Sequence, residues 1–113
     1  MILENISWKE AVEKMIYFRW GKINRLEMKL LSFMILNAAD GGMVKMDSKT
    51  KESAASVIES SFHSVANSLN RLSKLGAVKP GNPAMYCVSD YEWFPPKHLK
   101  LMDVNIRYIY KKL

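Results

Sequence analysis

The side chains best suited to chemistry are few and stand apart from one another. The chain holds two histidines, His63 and His98, and one cysteine, Cys87. Neither histidine stands at a metal-ligand spacing from Cys87 or from a pair of carboxylates. The adjacent hydroxyls of Ser60 and Ser61 lack the neighbouring base that turns serine into a nucleophile. Gly41-Gly42 leads into no Gly-Lys-Ser run, so a phosphate-cradling loop is not expected. Cys87 lies between Tyr86 and Val88 in a strand-like run and reads as packed rather than reactive. The eight methionines, several on helical stripes, read as core filling. A non-enzymatic protein follows, with no catalytic residue, no metal site and no cofactor.

One segment carries a different signal. From Ser60 to Lys74 there is no acidic residue. On a wheel at 100° per residue, Val65, Leu69 and Phe62 gather on one side of this segment, while Ser60, His63, Ser64, Asn67, Arg71 and Lys74 gather on the other. A merely solvated helix face mixes both signs of charge. Serine, asparagine and histidine can instead donate to and accept from base edges, and Arg71 and Lys74 can neutralise phosphates. The balance of the whole chain agrees, with 17 Lys and Arg against 11 Asp and Glu and a formal charge of +6. A basic surface favours polyanions through counterion release.

The elements that must position this segment can be read in order. Ser7 and Glu10 form a capping-box pair ahead of Trp8, Val12, Met15, Ile16 and Trp20, which predicts an amphipathic helix over 7–20. Asn24 and Glu27 repeat the device. Leu26, Leu30, Leu31, Met34, Ile35 and Ala38 then make a stripe wide enough for the central helix of the core. Asp40-Gly41-Gly42 ends it, and Met43 to Met46 suits a short strand. Ser48 caps a third helix to about Ile58, the chain turns at Glu59 to Ser61, and a fourth helix runs to Gly76. Ala77 to Lys79 and Ala84 to Val88 form a hairpin around Pro80-Gly81-Asn82-Pro83, with Gly81 able to take a positive φ and with Lys79 and Asn82 at the tip. The tail, 95–113, matches a helical stripe (Met102, Ile106, Ile109, Leu113) and a strand alternation (Val104, Ile106, Tyr108, Tyr110). Helix is the preferred reading.

Helix, strand, small helix, turn, helix, hairpin is the order of a winged helix-turn-helix. The expected fold class is therefore mainly α with a small β-hairpin: one domain, with a winged-helix core over 24–92 and flanking helices at each end. The major groove, about 12 Å wide, admits one helix, and the hairpin lies over neighbouring backbone. The stretch from about Leu26 to Tyr91 also resembles the winged-helix domain shared by the MarR-like regulators and the RepL-type plasmid replication proteins. The likeness rests on Val65-x-x-x-Leu69-x-x-Leu72-x-x-x-Gly76-Ala77-Val78 and on Met85-Tyr86-Cys87-Val88-Ser89-Asp90 followed by Trp93-Phe94. Glu59-Ser60-Ser61-Phe62 stands where those families usually show a Gly-Ile-Ser-like turn.

The expected function is sequence-preferring binding of double-stranded DNA, in transcription regulation or in replication or maintenance of a plasmid or phage. The expected DNA contacts are Ser60, His63, Ser64, Asn67, Arg71, Lys74, Lys79 and Asn82. A second reading uses the same scaffold as a protein-interaction module, with the tryptophan-rich first helix as its face. The two ends carry more apolar surface than one small core can cover. Trp8, Val12, Trp20, Ile106 and Ile109 are accordingly expected to join two copies in a homodimer, setting recognition helices about 34 Å apart. No apolar run approaches the roughly 20 residues of a membrane span. Glu4, Lys9, Glu10, Glu13 and Lys14 interrupt any secretory leader, and a lone cysteine fits a reducing cytoplasm.

Overall fold

The computed structural model describes residues 8–94. The expectations for Ser7, for the side chain of Trp8 and for the tail with Ile106 and Ile109 lie outside the described residues.

Four α-helices and a three-stranded antiparallel sheet make up the described chain: α1 Trp8–Arg19, α2 Arg25–Asn37, β1 Met43–Lys45, α3 Ser48–Val57, α4 Phe62–Leu75, β2 Val78–Pro80 and β3 Met85–Val88. α2 is central because its apolar stripe is the widest. Leu30, Leu31, Met34 and Ile35 are all essentially inaccessible, and the helix packs against α1, α3 and α4. Asn24 starts it as expected. Its Oδ1 accepts from the Glu27 amide at 2.7 Å, and Glu27 Oε1 accepts from the Asn24 amide at 3.0 Å.

α1 contributes Ala11, Val12, Met15 and Ile16 to the same core, each fully buried. This corrects the assignment of Val12 to a dimer face, since its side chain is used up within its own chain. The aromatics left outside are Tyr17 and Phe18, the latter 67% exposed, while Trp20 packs partly against the core.

The third helix is capped one residue earlier than expected. Asp47, not Ser48, is its N-cap, and its Oδ1 accepts from the Thr50 amide at 2.9 Å. The expected hairpin is present, with β2 shifted one residue onward, and it belongs to a larger sheet. β3 is the middle strand, pairing with β2 (Val78 opposite Val88) and with β1 (Val44 opposite Tyr86). Val44, Val78 and Val88 face the core. The hairpin turn differs from expectation: Gly81 has no positive φ, the Asn82–Pro83 bond is cis, and Ala84 takes the left-handed conformation at φ 57.

Beyond β3 the chain returns to α1. Arg19 Nη2 meets Asp90 Oδ2 at 2.6 Å, Phe18 stacks on Trp93 with centroids 6.1 Å apart, and Phe94 is buried. Gly42 lets this return come close. It has φ 82, and a Cβ there would sit 2.7 Å from the Tyr91 Cβ. Among the described residues no helix is long and apolar enough to cross a membrane.

Candidate nucleic-acid interface

α4 is held at both ends by its own sequence. Ser61 is the N-cap, with its Oγ accepting from the Ser64 amide at 3.1 Å. Gly76 ends the helix at φ 89, where its amide donates to the Leu72 and Ser73 carbonyls. Val65, Ser68, Leu69 and Leu72 form the buried side. Four side chains spaced i, i+4, i+7, i+11 form the opposite side, namely His63, Asn67, Asn70 and Lys74, all exposed. Lys74 stands in the last turn, where a cation also suits the helix dipole.

Asn70 is the residue the sequence reading missed. It stands seven residues, close to two helical turns, beyond His63, so the same wheel that selected His63 and Asn67 includes it. Phe62 moves the other way. It is not part of the buried side but 42% exposed at the first position of the helix, and Lys51 Nζ lies 5.8 Å from its ring centroid. That contact joins α3 to the start of α4.

The remaining expected residues separate. Ser64 shares a 3.0 Å hydrogen bond with Ser61 and is spent on the cap. Ser60 belongs to the turn, where its amide donates to the Ala55 carbonyl and closes α3. Arg71 lies at the flank of the outward stripe. Its Nη2 donates to Ser68 Oγ at 3.3 Å, and its Nε stands 3.6 Å from Glu27 Oε2. Asn82 is exposed at the hairpin tip. Lys79 is not at the tip: it lies mid-strand opposite Cys87, and lines an open cleft with Phe18, Arg19 and Trp93 that no α4 residue enters.

α4 itself carries no carboxylate, and several carboxylates elsewhere in the described chain are engaged. Asp47 caps α3, Glu27 is shared between Asn24 and Arg71, and Asp90 is paired with Arg19. Lys74 pairs with no carboxylate among the described residues. Nor do any three of His, Cys, Asp and Glu come together there. What this surface offers is a rigid, acid-free ridge of amide, imidazole and ammonium groups.

Comparison with family models, curated proteins and solved structures finds no match.

Proposed function

We propose that the protein binds duplex DNA through a winged helix-turn-helix, with α3 and α4 as the helix-turn-helix and the β2–β3 hairpin as the wing. The observation that carries this reading is the exposed, carboxylate-free stripe His63, Asn67, Asn70 and Lys74 on a helix whose other side is buried. The element order and a sheet that backs the helices support the same architecture. α4 enters the major groove, α3 holds its angle, and Asn82 at the wing tip meets neighbouring backbone. The mechanism is occupancy, serving transcription regulation or the replication or maintenance of a plasmid or phage. Two copies act together, and the exposed Tyr17 and Phe18 of α1 take the place of Val12 in the shared face.

Anisotropy titration of a labelled random-sequence duplex across a potassium chloride series tests the reading. Log affinity should fall linearly with log salt, with a nonspecific Kd of order 10⁻⁴–10⁻⁶ M near physiological salt. No binding even at about 50 mM salt would overturn it.

One observation favours protein docking instead. Val57 is 62% exposed at the rim of a groove of about 480 Å³ between α1, α2 and the end of α3. In its wall lies the buried Ser32 hydroxyl, which has no hydrogen-bond partner among the described residues. Retention of a protein partner by the parent chain but not by Val57→Asp, with duplex binding absent in both, would favour that reading.

A further inference from the structure

The outward stripe of α4 contains two asparagines, Asn67 and Asn70, in the interior of a helix. Asparagine is a poor helix former there, because its amide competes for backbone groups in other conformations. Such a residue commonly returns something locally through a side-chain bond. The neighbouring polar groups do so: Ser64 bonds Ser61, Ser73 bonds the Leu69 carbonyl, and Arg71 bonds Ser68. Neither Asn67 nor Asn70 makes a side-chain hydrogen bond to another described residue. Two exposed amides thus weaken the helix with no return among the described residues.

We infer that Asn67 and Asn70 read two neighbouring adenines, making α4 selective for A·T-containing steps; this rests on the duplex-binding reading above. A carboxamide presents an acceptor beside a donor, and in the major groove adenine presents the matching pair, its N6 amine and N7. Guanine offers two acceptors, cytosine a donor and thymine an acceptor, so none of them satisfies both ends of the amide. Three residues of helix separate the two asparagines by about 4.5 Å along the axis. Successive bases on one strand are about 3.4 Å apart, so a helix inclined to the groove sets the two amides over consecutive pairs. An asparagine side chain is short and needs the helix backbone close to the base. Beside the two amides stands Ala66, which adds no bulk to hold the helix away.

Selection from random duplexes with the 113-residue chain, followed by affinity measurement on the enriched site, tests this. The enriched site should contain two consecutive adenines on one strand. Replacing either by 7-deazaadenine, which lacks the N7 acceptor, should weaken binding by roughly 5- to 150-fold. Asn70→Ala should lose the preference at one of the two positions and become indifferent to the modified base there. The modified-base experiment uses the unaltered protein and so stands whatever the variant's folding. An enriched site without paired adenines, or an Asn70→Ala site identical to the parent's, overturns the inference while duplex binding remains. Failure of the parent to bind any duplex overturns both.

Discussion

Arg71 and Glu27 meet across the α4–α2 interface, Nε to Oε2, at 3.6 Å. Glu27 is nearly buried, and its other oxygen already serves the Asn24 amide, so the carboxylate fastens the start of α2 and the flank of α4 at once. Arg71 is half-exposed, which screens the pair and limits it to about 1 kcal/mol. Arg71→Ala should therefore lower stability by about 1 kcal/mol in urea melts while leaving the salt slope of DNA binding unchanged. Lys74→Ala should do the reverse, with a slope reduced by about one and a melt within roughly 0.5 kcal/mol of the parent. A slope that falls equally in both variants would put the Arg71 guanidinium on phosphate.

Leu69 of α4 and Leu30 of α2 both lie in the core, at 2% and 0% exposure. Truncation of either to alanine removes buried surface and leaves a cavity, at a cost of about 2–5 kcal/mol. Denaturant titration reads this directly. A Leu69→Ala protein as stable as the parent would mean that the outward stripe has been assigned to the wrong side of the helix.

Gly41 and Gly42 form an internal control for each other. Both have positive φ, 78 and 82, so alanine at either pays the left-handed penalty of roughly 1–2 kcal/mol. A new Cβ at Gly41 meets open space, whereas at Gly42 it strikes the Tyr91 Cβ at 2.7 Å and Cγ at 2.9 Å. Gly42→Ala should be the more destabilising by at least about 1 kcal/mol, because the segment following β3 must shift. Equal melting of the two variants would show that Tyr91 is free to move aside.

Asp47 gives α3 a dependence on acid. The Thr50 backbone amide, then the Thr50 side chain, hold its carboxyl below the ordinary value of 3.8; desolvation opposes them, and Lys45 and Lys49 add smaller attractions. Since the folded value is the lower one, the unfolded chain takes up the proton first as pH falls. The contribution of the charged cap is whole above the ordinary value and disappears as pH drops through the folded one. Asparagine caps nearly as well without titrating. The difference in melting temperature between the parent and Asp47→Asn should be constant from about pH 7 to 5 and shrink below about pH 4. A difference that stays flat to about pH 2 would disprove the role given to the charge.

Helix positions were legible wherever a local device marks them. The Asn24–Glu27 box and the Gly76 stop act within four residues, and the stripes of α2 and α4 repeat often enough to fix their buried sides. Choices between neighbours were not legible. Asp47 and Ser48 are both good caps, and their order is decided by which oxygen reaches the Thr50 amide. Phe62 lies at the margin of the apolar arc of α4, where the wheel cannot distinguish a buried ring from one held by Lys51. In α1 the spacing of Val12, Met15 and Ile16 marks the buried side, while Ala11, which completes it, is too small to stand out in the sequence. The pairing of Met43 with Cys87 joins segments more than forty residues apart, and nothing local announces it. Of the expected contact residues, His63, Asn67 and Lys74 stay together on α4, while Ser64 and Arg71 are drawn into local bonds. Lys79 goes to another face because strand alternation, not proximity to the turn, sets its direction.

The central position of β3 decides which borders of the sheet stay open. With β3 paired on both sides, the sheet exposes only β1 and β2 as open borders, each three residues long. Lys45 ends one, while Lys79 and Pro80 close the other, and proline has no amide to offer an incoming strand. Neither border of the described sheet offers a long run of free backbone for another strand to extend. Strand addition, whose end product is the fibre, is thereby discouraged at both borders of the described sheet.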